Sequence, residues 1–422
     1  MNFTKLILVV FFLIFISSLN TYSQDSLKIE YKESKHINVF VDCSFCDENY
    51  IKENINYVNY VRDTKESNVH ILVTRQSTGS GGLEYSVFFI GLNDFEYMND
   101  IFKYNTEPDF TSDETRIGLT NVIKAGLVRY LSKTPFAQNI SINYTGETGA
   151  DSPSSISDPW KNWVFDISLS GSFSGEESYT SSYYYSSVSI KKVTDKQKFI
   201  CTYYTNSNRN KYELDDTTVY KSRTNSNSLY TVWVKSLGEH WSAGFTSTQS
   251  SSTYRNIKFK TSIYPSIEYN LFPYKESNSR QLRFLHGIGN SFVRYNDTTI
   301  FYKTKETLFA QNLAITLDVT KKWGSISTSL NAFNYFHDLS KNSLNLWTNL
   351  SIRLFKGFSV SLYGQFSVIH DQIYLPKTDI STADILLQQR QLATQYSYYG
   401  SVGISYTFGS IYNNIVNPRF GE

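Results

Sequence analysis

Long apolar runs are scarce in this 422-residue sequence. The run from Leu6 to Ile16 is shorter than the roughly 20 residues that an α-helix needs to cross a bilayer, and no later segment approaches that length. An excess of one charge is also missing, because 40 Lys and Arg against 38 Asp and Glu give a net charge of +2. Nucleic-acid-binding proteins normally carry an excess of positive charge, so we predict no nucleic-acid partner.

Aromatic and strand-forming residues are abundant instead. Aromatic side chains make up 16% of the chain and charged ones 18%, and the mean hydropathy is −0.34. This composition excludes a disordered polar chain and a bundle of transmembrane helices. The sequence therefore predicts an ordered, strand-rich protein, which can enter a membrane only with strands.

The N-terminal apolar run has the features of an export signal. It follows Lys5 and leads to the small residues Thr21 and Ser23, which predict cleavage before Gln24. We favour a cleaved signal peptide over an uncleaved anchor because the run is so short. No cysteine stands at the cleavage point to accept a lipid.

Residues 35 to 134 have the pattern of a small α/β domain. Strands are predicted at His36 to Asp42, Val69 to Val73 and Tyr85 to Ile90, and helices at 48–61 and 111–131. The first helix has an apolar face of Ile51, Ile55, Val58 and Val61. The second has Thr111 or Ser112 as its N-cap and a buried stripe of Leu119, Val122, Ile123, Leu127 and Leu131. This β-α-β-β-α order predicts a two-layer domain.

The stretch Ser77 to Gly82 is rich in glycine. A phosphate-binding loop would continue with Lys-Ser or Lys-Thr and open a helix, whereas this stretch is followed by a predicted strand. We therefore predict a hairpin turn.

Cys43 and Cys46 lie where the first strand ends and a helix begins. In thioredoxin-like proteins this placement lowers a thiol pKa, which would support redox exchange. The flanking Asp42 and Asp47 disfavour a thiolate, so we favour a structural disulfide between Cys43 and Cys46. Two cysteines are too few for a structural zinc site, and we predict no metal and no cofactor. The isolated Cys201 is predicted to pack as a small apolar residue.

Beyond residue 160 apolar and polar residues alternate over long stretches. Leu344, Leu346 and Leu350 alternate with serines and asparagines, and the runs commonly exceed a dozen residues, whereas soluble strands average about 5 to 6. Aromatic residues gather near the ends of the runs, and short connections alternate with longer polar ones. These features predict an all-β transmembrane antiparallel β-barrel of about 12 strands. A soluble sandwich or jelly roll is the alternative, because alternation alone is common to both.

An even number of strands returns both ends of a barrel to the periplasm, where we place the N-terminal domain and the C-terminal end. The expected location is the outer membrane, with lipid as one partner and a periplasmic protein bound by the N-terminal domain as another. The predicted strands are near 162–175, 180–192, 197–213, 217–236, 240–255, 257–273, 280–295, 300–321, 324–337, 342–355, 358–375 and 396–409. The predicted organisation is a signal peptide (1–23), a periplasmic α/β domain (24–138), a linker (139–160), an outer-membrane β-barrel (161–410) and a short periplasmic tail (411–422).

Charged residues within the predicted strands are candidates for the lumen. They carry both signs and predict either a salt-bridged plug, which we favour, or a selectivity constriction. The candidates are Asp166, Lys258, Lys260, Arg283, Asp318 and Arg353.

Two His-Asp steps, at His337 and His370, fall near the outer ends of predicted strands. Outer-membrane hydrolases place catalytic groups at such positions, so a surface hydrolase using His337 or His370 is the alternative function. No motif fixes a nucleophile, however, and we predict no catalytic residue.

Both ends of the chain resemble a known class of protein. Gly403 to Ser410 with the tail Ile411 to Phe420, and Val41 to Asp47 near the N-terminus, are similar to Bacteroidetes-type outer-membrane β-barrel proteins with an N-terminal periplasmic domain. Members of this class mostly lack an assigned activity. The resemblance implies a location and a fold but no catalytic residue, and a porin-like narrow channel or an envelope scaffold is the expected function.

Overall fold

The computed structural model describes residues 36–79, 81–142, 159–213, 219–355, 357–377, 391–410 and 419. The predicted signal peptide, residues 143–158 of the predicted linker and nearly all of the predicted C-terminal tail lie outside the described residues.

The N-terminal part of the described chain is a five-stranded sheet with two α-helices. Strand β1 pairs in parallel with β2 and β3, and β3, β4 and β5 pair antiparallel, which gives the order β2-β1-β3-β4-β5. The elements are β1 (Asn38–Asp42), α1 (Glu48–Asn54), β2 (Asn59–Tyr60), β3 (Val69–Ser77), β4 (Leu83–Gly91), β5 (Asn99–Asn105) and α2 (Ser112–Leu131).

Two elements differ from the sequence prediction. The helix predicted at 48–61 ends at Asn54, and the chain then forms the short strand β2 beside β1. Val58 and Val61 are buried on either side of β2 and not on a helix, so their helical spacing was misleading. Strand β5 was missed, because half of its residues are polar and its place depends on pairing with β4. The predicted β-α-β-β-α order is therefore wrong, and the order is β-α-β-β-β-β-α.

Helix α2 begins and packs as its sequence predicts. Thr111 is the N-cap: its hydroxyl accepts from the Glu114 backbone N–H at 3.2 Å, and the Glu114 carboxylate accepts from the Thr111 backbone N–H at 2.8 Å. This capping box satisfies backbone donors that a helix otherwise leaves free. The predicted stripe faces the sheet, with Val122 partly buried and the other four residues buried. No helix in the described residues is long and apolar enough to cross a membrane.

The central strands β1, β3 and β4 of the five-stranded sheet are largely buried on both faces. The face towards the helices carries Val39, Ile71 and Phe89, which form a core with the stripe of α2. The opposite face carries Phe40 and His70, which are also buried. In a two-layer domain this second face would be exposed to solvent, so its burial shows that another part of the chain covers it.

The rest of the described chain is a single antiparallel sheet of twelve strands. Each inner strand pairs with the strands before and after it in sequence. The strands are β6 (Trp163–Glu176), β7 (Tyr179–Val193), β8 (Gln197–Glu213), β9 (Val219–Ser236), β10 (Trp241–Ser252), β11 (Ile257–Asn270), β12 (Arg280–Tyr295), β13 (Lys305–Lys321), β14 (Gly324–Tyr335), β15 (Asn342–Phe355), β16 (Phe358–Ile369) and β17 (Tyr396–Tyr406). The predicted strand count is confirmed. The largest boundary differences are in β13, which starts later than predicted, and β16, which ends earlier.

The two faces of the twelve-stranded sheet differ sharply in chemistry and exposure. On one face large apolar side chains are exposed: Ile267 is 46% and Phe309 53% accessible. On the other face small polar side chains are buried: Ser228 is 5% and Ser291 2% accessible. We call these the apolar face and the polar face. The pairing register keeps each face continuous, since Ser262 pairs with Ser291 on one side of the sheet and Ile267 with His286 on the other.

The sheet has two edge strands. Strands β6 and β17 each pair on one side only, and no pairing between them occurs in the part of the chain that the structure describes. The structure thus shows the strand order and register of the predicted barrel but not its closure.

We expect Gly126→Ala to destabilise the α/β unit. Alanine normally favours a helix over glycine by about 1 kcal/mol, but a Cβ at position 126 would lie 2.1 Å from the Phe89 ring in the core. Overpacking of this kind costs about 1 to 3 kcal/mol. Hydrogen exchange of α2 and β4 in the full chain measures the effect. Asn121→Ala, on the exposed side of the same helix, is the control and should leave protection equal or higher.

Candidate functional site

The second face of the five-stranded sheet is held against one end of the twelve-stranded sheet. The Arg353 guanidinium, at the end of β15, donates to both carboxylate oxygens of Asp42, at 2.5 and 2.6 Å. It also lies 4.9 Å from the centre of the Phe40 ring. His70, which is fully buried, donates from Nε2 to Asp42 Oδ2 at 3.2 Å. Arg353 therefore joins the two sheets at the C-terminal end of β1.

The charge on Asp42 is stabilised by its partners. Burial acts to raise the pKa of this carboxyl, but the hydrogen bonds from His70 and Arg353 outweigh it, and the pKa lies below its ordinary value of 3.8. The contribution of Asp42 to the contact is complete above that ordinary value and is lost as the pH falls through the lower pKa of the folded state. The contact is therefore insensitive to Asp42 titration near neutral pH.

Three further contacts join the α/β unit to the turns at the same end of the large sheet. Asp63 accepts from the backbone N–H of Gly357, in the β15–β16 turn, at 2.9 Å. Asn278, before β12, donates to Ser86 Oγ at 2.9 Å and to Glu84 at 3.3 Å. A Cβ on Gly79 would lie 2.6 Å from the Val193 side chain at the end of β7, so glycine permits this close approach. We call this set of contacts the docking junction, and its side of the large sheet the docked end.

The docking junction spans much of the width of the large sheet. Eight strand spacings separate β7 from β15, which is roughly 38 Å in a flat sheet. Within the α/β unit Asp42 pairs with Leu72, seven residues before Gly79, so Asp42 and Gly79 are at most about 29 Å apart. One α/β unit therefore contacts strands that lie eight places apart, with the long side chain of Arg353 adding to its reach.

A cavity of about 870 Å³ opens on the polar face near the docked end, between β8 and β12. The Tyr274 hydroxyl donates to Glu268 at 2.9 Å and is 2.9 Å from Ser242 Oγ. Burial and the Glu268 carboxylate raise the pKa of Tyr274 to about 12, so it stays a proton donor. Arg283 lies 3.7 Å from Glu268 and closes the group on the side of β12. The cavity combines this charged pair with an apolar wall of Val232 and Leu285.

The register places five of the six predicted lumen residues on the polar face. Arg283 faces Glu268, Asp318 accepts from Gln281 at 2.6 Å, and Arg353 belongs to the docking junction. Asp166 lies on the edge strand β6, and Lys260 pairs in register with Ser250. Lys258 is exposed at a bulge of β11. The six residues are therefore dispersed along the sheet and do not form one cluster.

An apolar cluster covers part of the polar face at the end away from the docking junction. The segment 370–377 leaves β16 and returns over the sheet, where the Ile300 N–H donates to the Leu375 carbonyl and Asn256 Nδ2 to the Tyr374 carbonyl. Ile373 and Tyr374 pack there with residues of β11 to β14. These residues are Ile257, Tyr264, Val293, Tyr295, Leu308, Ala310, Phe333 and Tyr335. The cluster fills the polar face locally.

The two candidate histidines make no catalytic arrangement in the described residues. The His337 ring contacts Tyr335 at 5.6 Å between centroids, and its neighbour Asp338 accepts from Ser340. His370 is exposed, and its neighbour Asp371 accepts from Ser343 Oγ at 3.0 Å. Neither imidazole has a hydrogen bond to a serine or a carboxylate within the described chain.

Cys43 and Cys46 form a disulfide at the start of α1, with Cα atoms 5.5 Å apart. Cys201 is free, half-buried, and accepts weakly from the Thr231 hydroxyl at 3.5 Å. No group of three or more His, Cys, Asp and Glu side chains in the described residues could hold a metal ion.

Sequence reasoning did not identify Asp42, His70, Asn278 or Glu268 as members of these sites. Asp42 was considered only for its effect on Cys43, yet its main partner is 311 residues away. A polar residue in an otherwise apolar strand, such as His70 in Val-His-Ile-Leu-Val, was the one local signal. It indicates a buried polar contact without identifying the partner.

No family model matches the sequence, and no curated protein matches it. Among solved structures, the translocator domain of the autotransporter NalP from Neisseria meningitidis aligns over 58% of this chain and 81% of that chain. The sequence identity is 8% and the TM-score is 0.20. A superposition of this quality leaves function to be inferred from the chain's own strands and faces.

We expect Arg353→Met to loosen the docking junction. The variant keeps an unbranched side chain that can follow the arginine stem but leaves Asp42 without its cation, and a hydrogen-bonded charge at a partly exposed site contributes about 1 to 2 kcal/mol. Hydrogen exchange of β1 and β3 should therefore quicken in the full-length variant. Arg129→Met removes the exposed ion pair with Asp100 in the same unit and is the control. Equal protection in both variants would show that Arg353 does not hold the junction.

Proposed function

We propose that this protein is an outer-membrane β-barrel that forms a narrow channel, with the α/β domain at its periplasmic end. The observation that carries the proposal is the inversion of the two faces of the large sheet. Apolar side chains are exposed while serines on the opposite face are buried, which is the reverse of a soluble sandwich. Lipid is the solvent that makes an exposed apolar face favourable, at about 25 cal/mol per Å² buried.

Strand length and aromatic placement support a membrane location. A strand tilted in a bilayer needs about 9 to 11 residues, and β6 to β17 have between 11 and 18. On the apolar face the ring centres of Trp241 and Tyr269 lie 4.7 Å apart near the docked end. The ring centres of Phe309 and Phe336 lie 5.0 Å apart near the other end. Aromatic residues at both ends of an apolar band suit the two membrane interfaces.

Closure follows from the cost of unpaired backbone groups in lipid. Strands β6 and β17 run antiparallel to each other, because neighbouring strands alternate in direction and the sheet has twelve strands. Pairing between them would satisfy the free N–H and C=O groups of both edges.

The predicted export signal and the predicted topology support a periplasmic location for the α/β domain. It contacts the docked end, where four of the five connections between strands are two to four residues long, as periplasmic turns are. In a closed barrel the polar face lines the lumen, and the domain covers its periplasmic mouth. Binding of a periplasmic protein by this domain remains a prediction.

Spin labels should distinguish the two faces in a membrane. In a Cys201→Ser background, a label on Ile267→Cys should collide mostly with oxygen, which concentrates among acyl chains. A label on Ser266→Cys, the next residue along the same strand, should collide mostly with a water-soluble nickel chelate. Electron paramagnetic resonance of protein in vesicles measures both. Access of the chelate to position 267 would exclude a lipid-facing apolar face.

Planar-bilayer recordings test the channel. The full-length protein should give small conductance steps, because the domain covers one mouth of the lumen. The double variant Arg353→Met with Asn278→Ala should give steps that are larger by a factor of about two or more, since the docking junction loses two of its contacts. Arg129→Met should behave as the unmodified protein. If no variant gave conductance steps, a channel would be excluded and an envelope scaffold would be the remaining function.

A further inference from the structure

The polar face has a second cavity at the end away from the docking junction. Its volume is about 640 Å³, and it lies over β7 to β11, beside the apolar cluster that covers β11 to β14. Pockets for small molecules usually measure about 300 to 1,000 Å³. We call it the distal cavity.

The wall of the distal cavity is rich in hydroxyl and amide groups. Serines and threonines of β9 and β10 line it together with Asn206 and Asn208 of β8, and the rings of Tyr183 and Tyr204 border it. The Oδ1 atom of Asn208 is buried and has no hydrogen-bond partner in the described part of the chain. Buried amide oxygens are nearly always satisfied, so this atom indicates a missing donor. A ligand with hydroxyl groups would supply one.

The cavity is also positively charged. Arg255 and Lys260 line it, whereas no carboxylate does. Neither cationic group has an ion pair among the described residues. The carboxylate that acts electrostatically on Lys260 is Asp371, which accepts a hydrogen bond from Ser343 outside the cavity wall. Two cations against one outlying carboxylate leave a net attraction for an anion.

We propose that the distal cavity binds an acidic saccharide. Its carboxylate would pair with Lys260 and Arg255, and its hydroxyls would bond to the serines, threonines and asparagines. The apolar ring faces of the sugar would contact Tyr183 and Tyr204, whose rings border the cavity. The inference rests on the proposed function, because it takes the distal cavity to lie at the outer mouth of the lumen. It names the class of solute that is held there.

Calorimetric titration of the full-length protein in detergent micelles tests the site without any measurement of transport. Sodium digalacturonate is the probe, and it should bind saturably. Lys260→Gln should weaken binding at least about tenfold, because a hydrogen bond to a charged group is lost. Lys258→Gln removes the same charge two residues away, at an exposed position outside the cavity wall, and should leave the affinity unchanged.

The outcomes separate the ligand classes. Maltose binding as tightly as digalacturonate would overturn the role of charge, and inorganic phosphate binding as tightly would overturn the saccharide. Equal losses in Lys260→Gln and Lys258→Gln would overturn the site. Should Lys260→Gln fail to fold, Arg255→Gln on the exposed loop carries the same expectation. Binding without conductance would support the saccharide site and exclude the channel. Conductance without binding would support the channel and exclude the saccharide site.

Discussion

The large sheet depends on the pleat of the β-strand, which places successive side chains on opposite faces. With small polar residues at every second position and large apolar ones between them, each strand has one polar face and one apolar face. A slip of one residue in any strand would place serines among the apolar side chains and an aromatic ring in the polar face. The register between strands is therefore specified along the whole sheet, and it determines which side chains line the cavities on the polar face.

The alternation is also the reason that the strands could be predicted from sequence. Strands β8 and β12 begin and end at the residues that the pattern indicates, because each is long and flanked by polar turns. Strand β5 could not be found in this way. Its neighbour β4 provides the hydrogen bonds that define it. Its residues alternate between exposed and half-buried, but Ile101, on the exposed face, is 60% accessible, so apolar residues lie on both faces and do not indicate the half-buried one.

The candidate sites were predictable only in part. The charges on the polar face followed from their positions in the strands, but the partners of those charges did not. Arg353 looked like a lumen residue, and it lies on the polar face, yet at the end of β15 its guanidinium meets a carboxylate from the other sheet. Contacts of this kind are set by how two units meet in space, and nothing in the local pattern of either strand encodes them. The disulfide between Cys43 and Cys46 follows Asp42 directly and restrains the chain just beyond it.

The order of the twelve strands has a consequence for how the protein is assembled. Every strand pairs with the one made just before it, so the sheet can grow hairpin by hairpin with short loop closures and a low entropic cost at each step. In the closed barrel that we propose, the exception is the seam between the first and last strands, which are some 230 residues apart and can meet only after all the others are in place. The slowest step of folding should therefore be the final one, and the α/β unit, made earlier in synthesis, is available by then to hold the strand ends together.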